Sequence, residues 1–168
     1  MKKLLVLFGL VSLYVQPLRA DILVLVHGYM SDARTWEAQG VLPALAAHGW
    51  QPAGVLAATP DGRVAGLSPV RYQRPVYSAN LLASAPLMVQ AQQLAAQLGA
   101  IRQQYPADKL VLAGHSAGGV VARVMVLNDN PYRADRLLTT ASPPLGTTLP
   151  GRGLALVPFT TPFRPGPG

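Results

Sequence analysis

Residues Gly114-His115-Ser116-Ala117-Gly118 follow the pattern G-x-S-x-G, the spacing at which a serine hydroxyl between glycines can attack a carbonyl carbon. With this chain's glycine and serine content, composition alone would produce about 0.06 such matches, so chance is a poor source for it. The context sharpens the reading. Lys109 to Ala113 reads as a strand and Ala117 to about Asn128 as a helix rich in Val, which puts the motif at a strand-to-helix turn that lifts the Ser116 hydroxyl above a sheet. The flanking glycines let the backbone make that turn without a Cβ collision, and Gly119 lets the following helix pack closely. The competing reading is an ordinary glycine-rich turn with an incidental serine.

Acyl transfer through a serine builds negative charge on a carbonyl oxygen, and fixed backbone N–H groups stabilise it. His27-Gly28-Tyr29 closes the apolar run Ile22-Leu23-Val24-Leu25-Val26. If that strand neighbours the one before Ser116, the N–H groups of Tyr29 and Ala117 converge on one point. A proton acceptor is harder to find. His115 lies inside the serine turn with its side chain directed away from Ser116, His48 fits a helix end, and His27 belongs to the oxyanion segment. No histidine follows Ser116. The acids after it, Asp129 and Asp135, fall at the amino end of the sheet and read as solvated loop charges. A serine without a base is a poor nucleophile.

The elements that must position these residues alternate. Ile22 to Val26 has the continuous apolar pattern of a strand buried on both faces of a parallel sheet. A helix is expected from Thr35 to about His48, stopped by Gly49, and a weaker strand at Val55-Leu56-Ala57. Pro60, Pro69, Pro75 and Pro86, with several Gly and Ser, predict an extended loop over 59–86. Leu87, Ala91, Leu94, Leu98 and Ile101 trace one apolar helix face that ends before Pro106. A last strand is expected at Arg136 to Ala141. Alternation of this kind implies an α/β fold with a parallel sheet and helices on its faces.

Three blocks in order resemble the α/β-hydrolase family, in particular bacterial secreted lipases and esterases: Val24-Leu25-Val26-His27-Gly28-Tyr29, Leu110 to Gly119 around Ser116, and Leu138-Thr139-Thr140-Ala141-Ser142-Pro143-Pro144-Leu145-Gly146-Thr147. The resemblance covers about residues 21–150. It implies a partial α/β-hydrolase fold, with Ser116 as nucleophile and the backbone at Tyr29 and Ala117 as oxyanion hole. His27, Gly28, Gly114, His115 and Gly118 complete the motifs. It also implies hydrolysis of a small-molecule or lipid ester without cofactor or metal. In such lipases the third block carries Pro-His-x-Gly; here Pro144 stands in the histidine's place. The family's triad runs Ser, then acid, then His, so the chain reads as a C-terminally truncated hydrolase. The alternatives are a catalytically incompetent chain or acyl-binding pseudoenzyme, and, more remotely, a protein completed by another chain. In spatial order four parallel strands are expected as 2-1-3-4, with Arg136 to Ala141 at the edge.

Composition bounds the rest. Of 168 residues half are apolar and 12% charged, which argues for a packed core in one domain. With no cysteine, disulfides, thiolate catalysis and Cys-ligated zinc are excluded. Lys2 and Lys3, the apolar run Leu4 to Val15, and Gln16 to Ala20 read as a secretory signal peptide over 1–20, cut near Ala20 and too short to span a bilayer. Secreted or periplasmic protein, with no membrane span after cleavage, is the expectation. Without it the chain keeps 11 basic and 7 acidic residues. Its arginines are scattered rather than clustered, so nucleic acid is not expected as a partner. Residues 151–168 are a Pro/Gly-rich tail expected to lack regular structure.

Overall fold

The computed structural model describes residues 20–128 and 130–143; residues 1–19 of the expected signal segment 1–20, Asp129, Pro144 and the tail 151–168 lie outside them. The described residues form β1 (Asp21–Val26), α1 (Thr35–Ala38), α2 (Val41–Ala47), β2 (Gln51–Ala58), β3 (Val64–Ala65), β4 (Pro75–Asn80), α3 (Leu87–Gln104), β5 (Lys109–His115), α4 (Ala117–Leu127) and β6 (Arg136–Thr140). One sheet runs in the order β3-β2-β4-β1-β5-β6. Every pairing is parallel except that of β3 with β2.

The unbroken apolar run of β1 has its reason in this topology. Alternate side chains on a strand point to opposite faces, and both faces are covered. Ile22, Val24 and Val26 enter the larger core with Leu94, Leu98 and Ile101 of α3 and Val121, Ala122 and Met125 of α4. Leu23 and Leu25, with Val76, pack on the other face against Trp36, Val41, Leu42 and Leu45 from α1 and α2. Fully burying one such side chain is worth roughly 1.5–3 kcal/mol, so the two-sided burial makes β1 the sheet's anchor. Ala20 also belongs to this fold. It is buried, its N–H donates to Asp108 Oδ1 at 2.7 Å, and its C=O accepts from the N–H of Lys109.

Three expectations need correction. The segment 59–86 is not one extended loop, because β4 lies within it and pairs with both β1 and β2. Its prolines do not prevent this. Pro75 occupies the first position of the strand, where a missing N–H is tolerated, and the next proline is Pro86. Val76 to Ala79 are all buried. Among the described residues the sheet therefore has six strands where four were expected: β2, β1, β5 and β6 keep the expected order, but β4 is inserted between β2 and β1. The expected helix from Thr35 to His48 is two short helices, parted at Gly40, whose φ of 73° ends one and begins the next. Gly49, at φ 82°, terminates the second as expected.

Candidate active site

In parallel neighbours the carboxyl ends lie at the same edge of the sheet, and β1 and β5 pair in register up to Val26 opposite Gly114. The segments that leave these strands, His27-Gly28-Tyr29 and His115-Ser116-Ala117, are therefore side by side. The approach is close: a Cβ placed on Gly28 would lie 3.0 Å from Ser116 Cβ and 3.3 Å from the His115 carbonyl oxygen. With no Cβ at Gly28 the backbone of the first segment comes this near to the serine without a tight contact.

Ser116 sits at φ 53° and ψ −127°, a region that L-residues other than glycine rarely occupy, at a cost of roughly 1–3 kcal/mol. The turn is held from both sides. The Ser116 N–H donates to Thr140 C=O at the end of β6 (2.9 Å), and its C=O accepts from the N–H of Gly119 (3.1 Å). Its side chain makes no capping hydrogen bond to α4, unlike a serine whose task is to start a helix. The glycines around it serve close approach. A Cβ on Gly118 would strike the carbonyl oxygens of Val26 and His27, and one on Gly114 the backbone of Gly119. Thus α4 begins directly over the end of β1, with the Ala117 N–H in its first turn, where unpaired donors and the helix dipole favour negative charge.

His27 is buried and its ring is fully used. Nε2 lies 3.0 Å from the N–H of Leu81, which can only donate, so this nitrogen accepts. The proton is then on Nδ1, 3.0 Å from the Gly28 carbonyl oxygen, to which it donates. The ring fastens β1's exit to the chain leaving β4 and has no nitrogen free for Ser116. His48 is exposed at the end of α2, with Nδ1 against the Ala44 carbonyl (2.9 Å). His115 is exposed beside the turn. Among the described residues no imidazole is hydrogen-bonded to Ser116. Asp135 lies at the opposite end of β5, accepting the N–H of Leu110 at 2.8 Å, so it is far from the serine turn. No group of three His, Cys, Asp or Glu among the described residues could hold a metal ion.

Sequence reasoning missed the contribution of the end of β4 and the residue after it. Besides the Leu81 N–H, Asn80 Oδ1 accepts the N–H of Ala33 at 3.2 Å, tying down the far end of the loop that carries Tyr29. The loop's apex is exposed and apolar: Tyr29 is 46% and Met30 78% accessible. No sequence signal marked Asn80 beyond its place five residues after a proline.

A family model described as the alpha/beta hydrolase family matches residues 23–168. No curated protein matches the chain. Among solved structures, a gene product of Listeria innocua is 14% identical with a TM-score of 0.58, over 70% of this chain and 48% of that one. A Bacillus licheniformis lipase in its mature form is 21% identical with a TM-score of 0.51, over 78% and 44%. A protein of Lactobacillus plantarum described as a cell surface hydrolase is 21% identical with a TM-score of 0.56, over 74% and 54%. The likeness at these identities is one of fold, and the chain spans about half the length of the structures it matches.

Proposed function

Since the chain belongs to the α/β-hydrolase family, we propose that it is a serine hydrolase of carboxylic esters, lipase- or esterase-like, acting on small-molecule or lipid esters. Ser116 is the nucleophile. Its Oγ adds to the ester carbonyl carbon, the oxygen gains negative charge, and the backbone N–H groups of Tyr29 and Ala117 receive it. The C–O bond to the leaving group breaks, the hydroxyl proton leaves with it as the alcohol, and water hydrolyses the acyl-serine to the carboxylic acid and free Ser116. The observation that carries this reading is the Ser116 backbone, held at φ 53° and ψ −127° with its hydroxyl uncommitted to capping. Strain of this kind persists where surrounding structure imposes it, and it concentrates at functional sites. A structural serine at a helix start gains nothing from it.

A second reading, an acyl-binding protein without turnover, is favoured by one observation: among the described residues no imidazole is hydrogen-bonded to Ser116, and His27 is committed elsewhere. Hydrolysis of p-nitrophenyl butyrate by wild type and Ser116→Ala separates the two. Turnover that disappears in the variant supports the hydrolase. Equal rates in both refute it, and saturable binding of an acyl ligand without turnover supports the second reading. The proposal extends to export: Lys2, Lys3 and the apolar run Leu4 to Val15 would direct the chain across a membrane. Among the described residues no helix is long and apolar enough to cross one.

A further inference from the structure

The loop from His27 to Ala33 carries the Tyr29 N–H, and two consecutive residues, the last of β4 and the one after it, hold both its ends. At its start the Leu81 N–H donates to His27 Nε2 at 3.0 Å. At its finish the Ala33 N–H donates to Asn80 Oδ1 at 3.2 Å. Ala33 is buried, and Asn80 supplies the protein acceptor for its N–H in a part-buried bond. Between the two anchors Tyr29 and Met30 are exposed, and Met30 is held at φ 54°. Nothing buried fixes that apex. Its placement depends on the anchors.

Asn80 is itself fixed. Its C=O accepts from Gln97 Nε2 at 3.0 Å, and Gln97 is buried in α3. The N–H of Leu82 donates to Gln93 Oε1 at 2.9 Å, one turn earlier on the same helix. The chain leaving β4 is thus clamped to a helix before it clamps the loop, and β4 is the immediate neighbour of β1.

We propose that Asn80 is a positioning residue for the oxyanion-binding loop: its side-chain oxygen, carried on a main chain that α3 holds through Gln97, sets the place of the Tyr29 N–H relative to Ser116. This rests on the serine-hydrolase reading. A donor acts on developing charge only if it already points at the place where the charge appears, and displacement by about 1 Å can cost up to about 10²-fold in rate. The donor itself remains in an Asn80→Ala variant, so a smaller loss, about tenfold in kcat, is expected.

The experiment compares wild type, Asn80→Ala, Asn80→Asp and Ser116→Ala as full chains, in p-nitrophenyl butyrate kinetics and in amide hydrogen exchange. Asn80→Ala should lower kcat about tenfold with KM within about twofold, and should speed exchange at Tyr29 and Ala33. Asn80→Asp keeps the acceptor oxygen and should restore Ala33 protection and most of kcat. The proposal is overturned if Asn80→Ala leaves loop exchange and kcat at wild-type values. It is equally overturned if kcat, KM and the unfolding midpoint all worsen together and Asp rescues none of them, the behaviour of a purely structural residue. Turnover that survives in Ser116→Ala, or is missing from wild type, instead refutes the hydrolase reading. Exchange at Tyr29 and Ala33 then decides whether Asn80 places the loop.

Discussion

Gly118→Ala is a severe test of how the serine turn is built, because the methyl group has nowhere to go. Its carbon would overlap the carbonyl oxygens of Val26 and His27 and lie 2.8 Å from the Val26 carbonyl carbon. Comfortable carbon–carbon contact begins at roughly 3.5 Å. The obstructing atoms are main chain at the last residue of β1, paired on both sides, and at His27 just after it, so they cannot rotate aside as a side chain would. Relief requires α4 to lift, loosening Val121, Ala122, Val124 and Met125 in the core. Overpacking of this kind costs about 1–3 kcal/mol, and the better helix propensity of Ala returns at most about 1 kcal/mol. A net loss of about 1–2 kcal/mol is expected, with a fall in any Ser116-dependent rate. Gly99→Ala in α3 is the matched control. Its methyl would meet the Tyr132 ring at 3.4 Å, an ordinary contact, so the variant should gain about 0.5–1 kcal/mol. Urea unfolding followed through Trp36 and Trp50 reads both. A Gly118→Ala midpoint at or above wild type would refute the close-approach argument.

Replacing Ser116 by Gly should leave the protein about 1 kcal/mol more stable than Ser116→Ala, since glycine adopts φ 53° without strain while alanine keeps its Cβ; equal urea midpoints would show that the turn stores no strain. The Tyr77 phenol is pushed well above its ordinary value of 10.0, first by burial and then by the neighbouring Tyr105. Its folded state therefore favours the neutral form, and the stability it contributes is complete below about pH 10 and lost as pH rises beyond, where the unfolded chain ionises first. Tyr77→Phe should flatten the decline in urea midpoint between about pH 9 and about pH 11, and an unchanged slope would assign that decline elsewhere. A chain that begins at Asp21 forfeits the buried Ala20 and its bonds to Asp108 and Lys109. It should be about 1–3 kcal/mol less stable than one beginning at Ala20, by the worth of hydrogen bonds to a charged partner, and paired unfolding curves would measure the difference.

Residues that carry their structural reason within a short window were legible without coordinates. The apolar run of β1, the helix face of Leu87, Ala91, Leu94, Leu98 and Ile101, and the Gly-x-Ser-x-Gly turn each follow from burial or backbone sterics over a few neighbours. All three stand where they were expected. The family was legible in the blocks Val24 to Tyr29, Leu110 to Gly119 and Leu138 to Thr147, and a family model matches residues 23–168.

What the windows could not contain, the tertiary structure decided. Pro75 to Asn80 looks like loop in isolation, and it becomes a central strand because β1 and β2 offer it hydrogen-bonding edges on both sides. Those edges come from residues some 20 to 50 positions away, and no local periodicity reports them. The same holds for His27 and Asn80. A histidine after a strand can be a base or a strut, and the N–H of Leu81, 54 residues later, makes it a strut. Periodicity records whether a side chain is buried, whereas the partner of a buried polar atom is settled only when distant backbones meet.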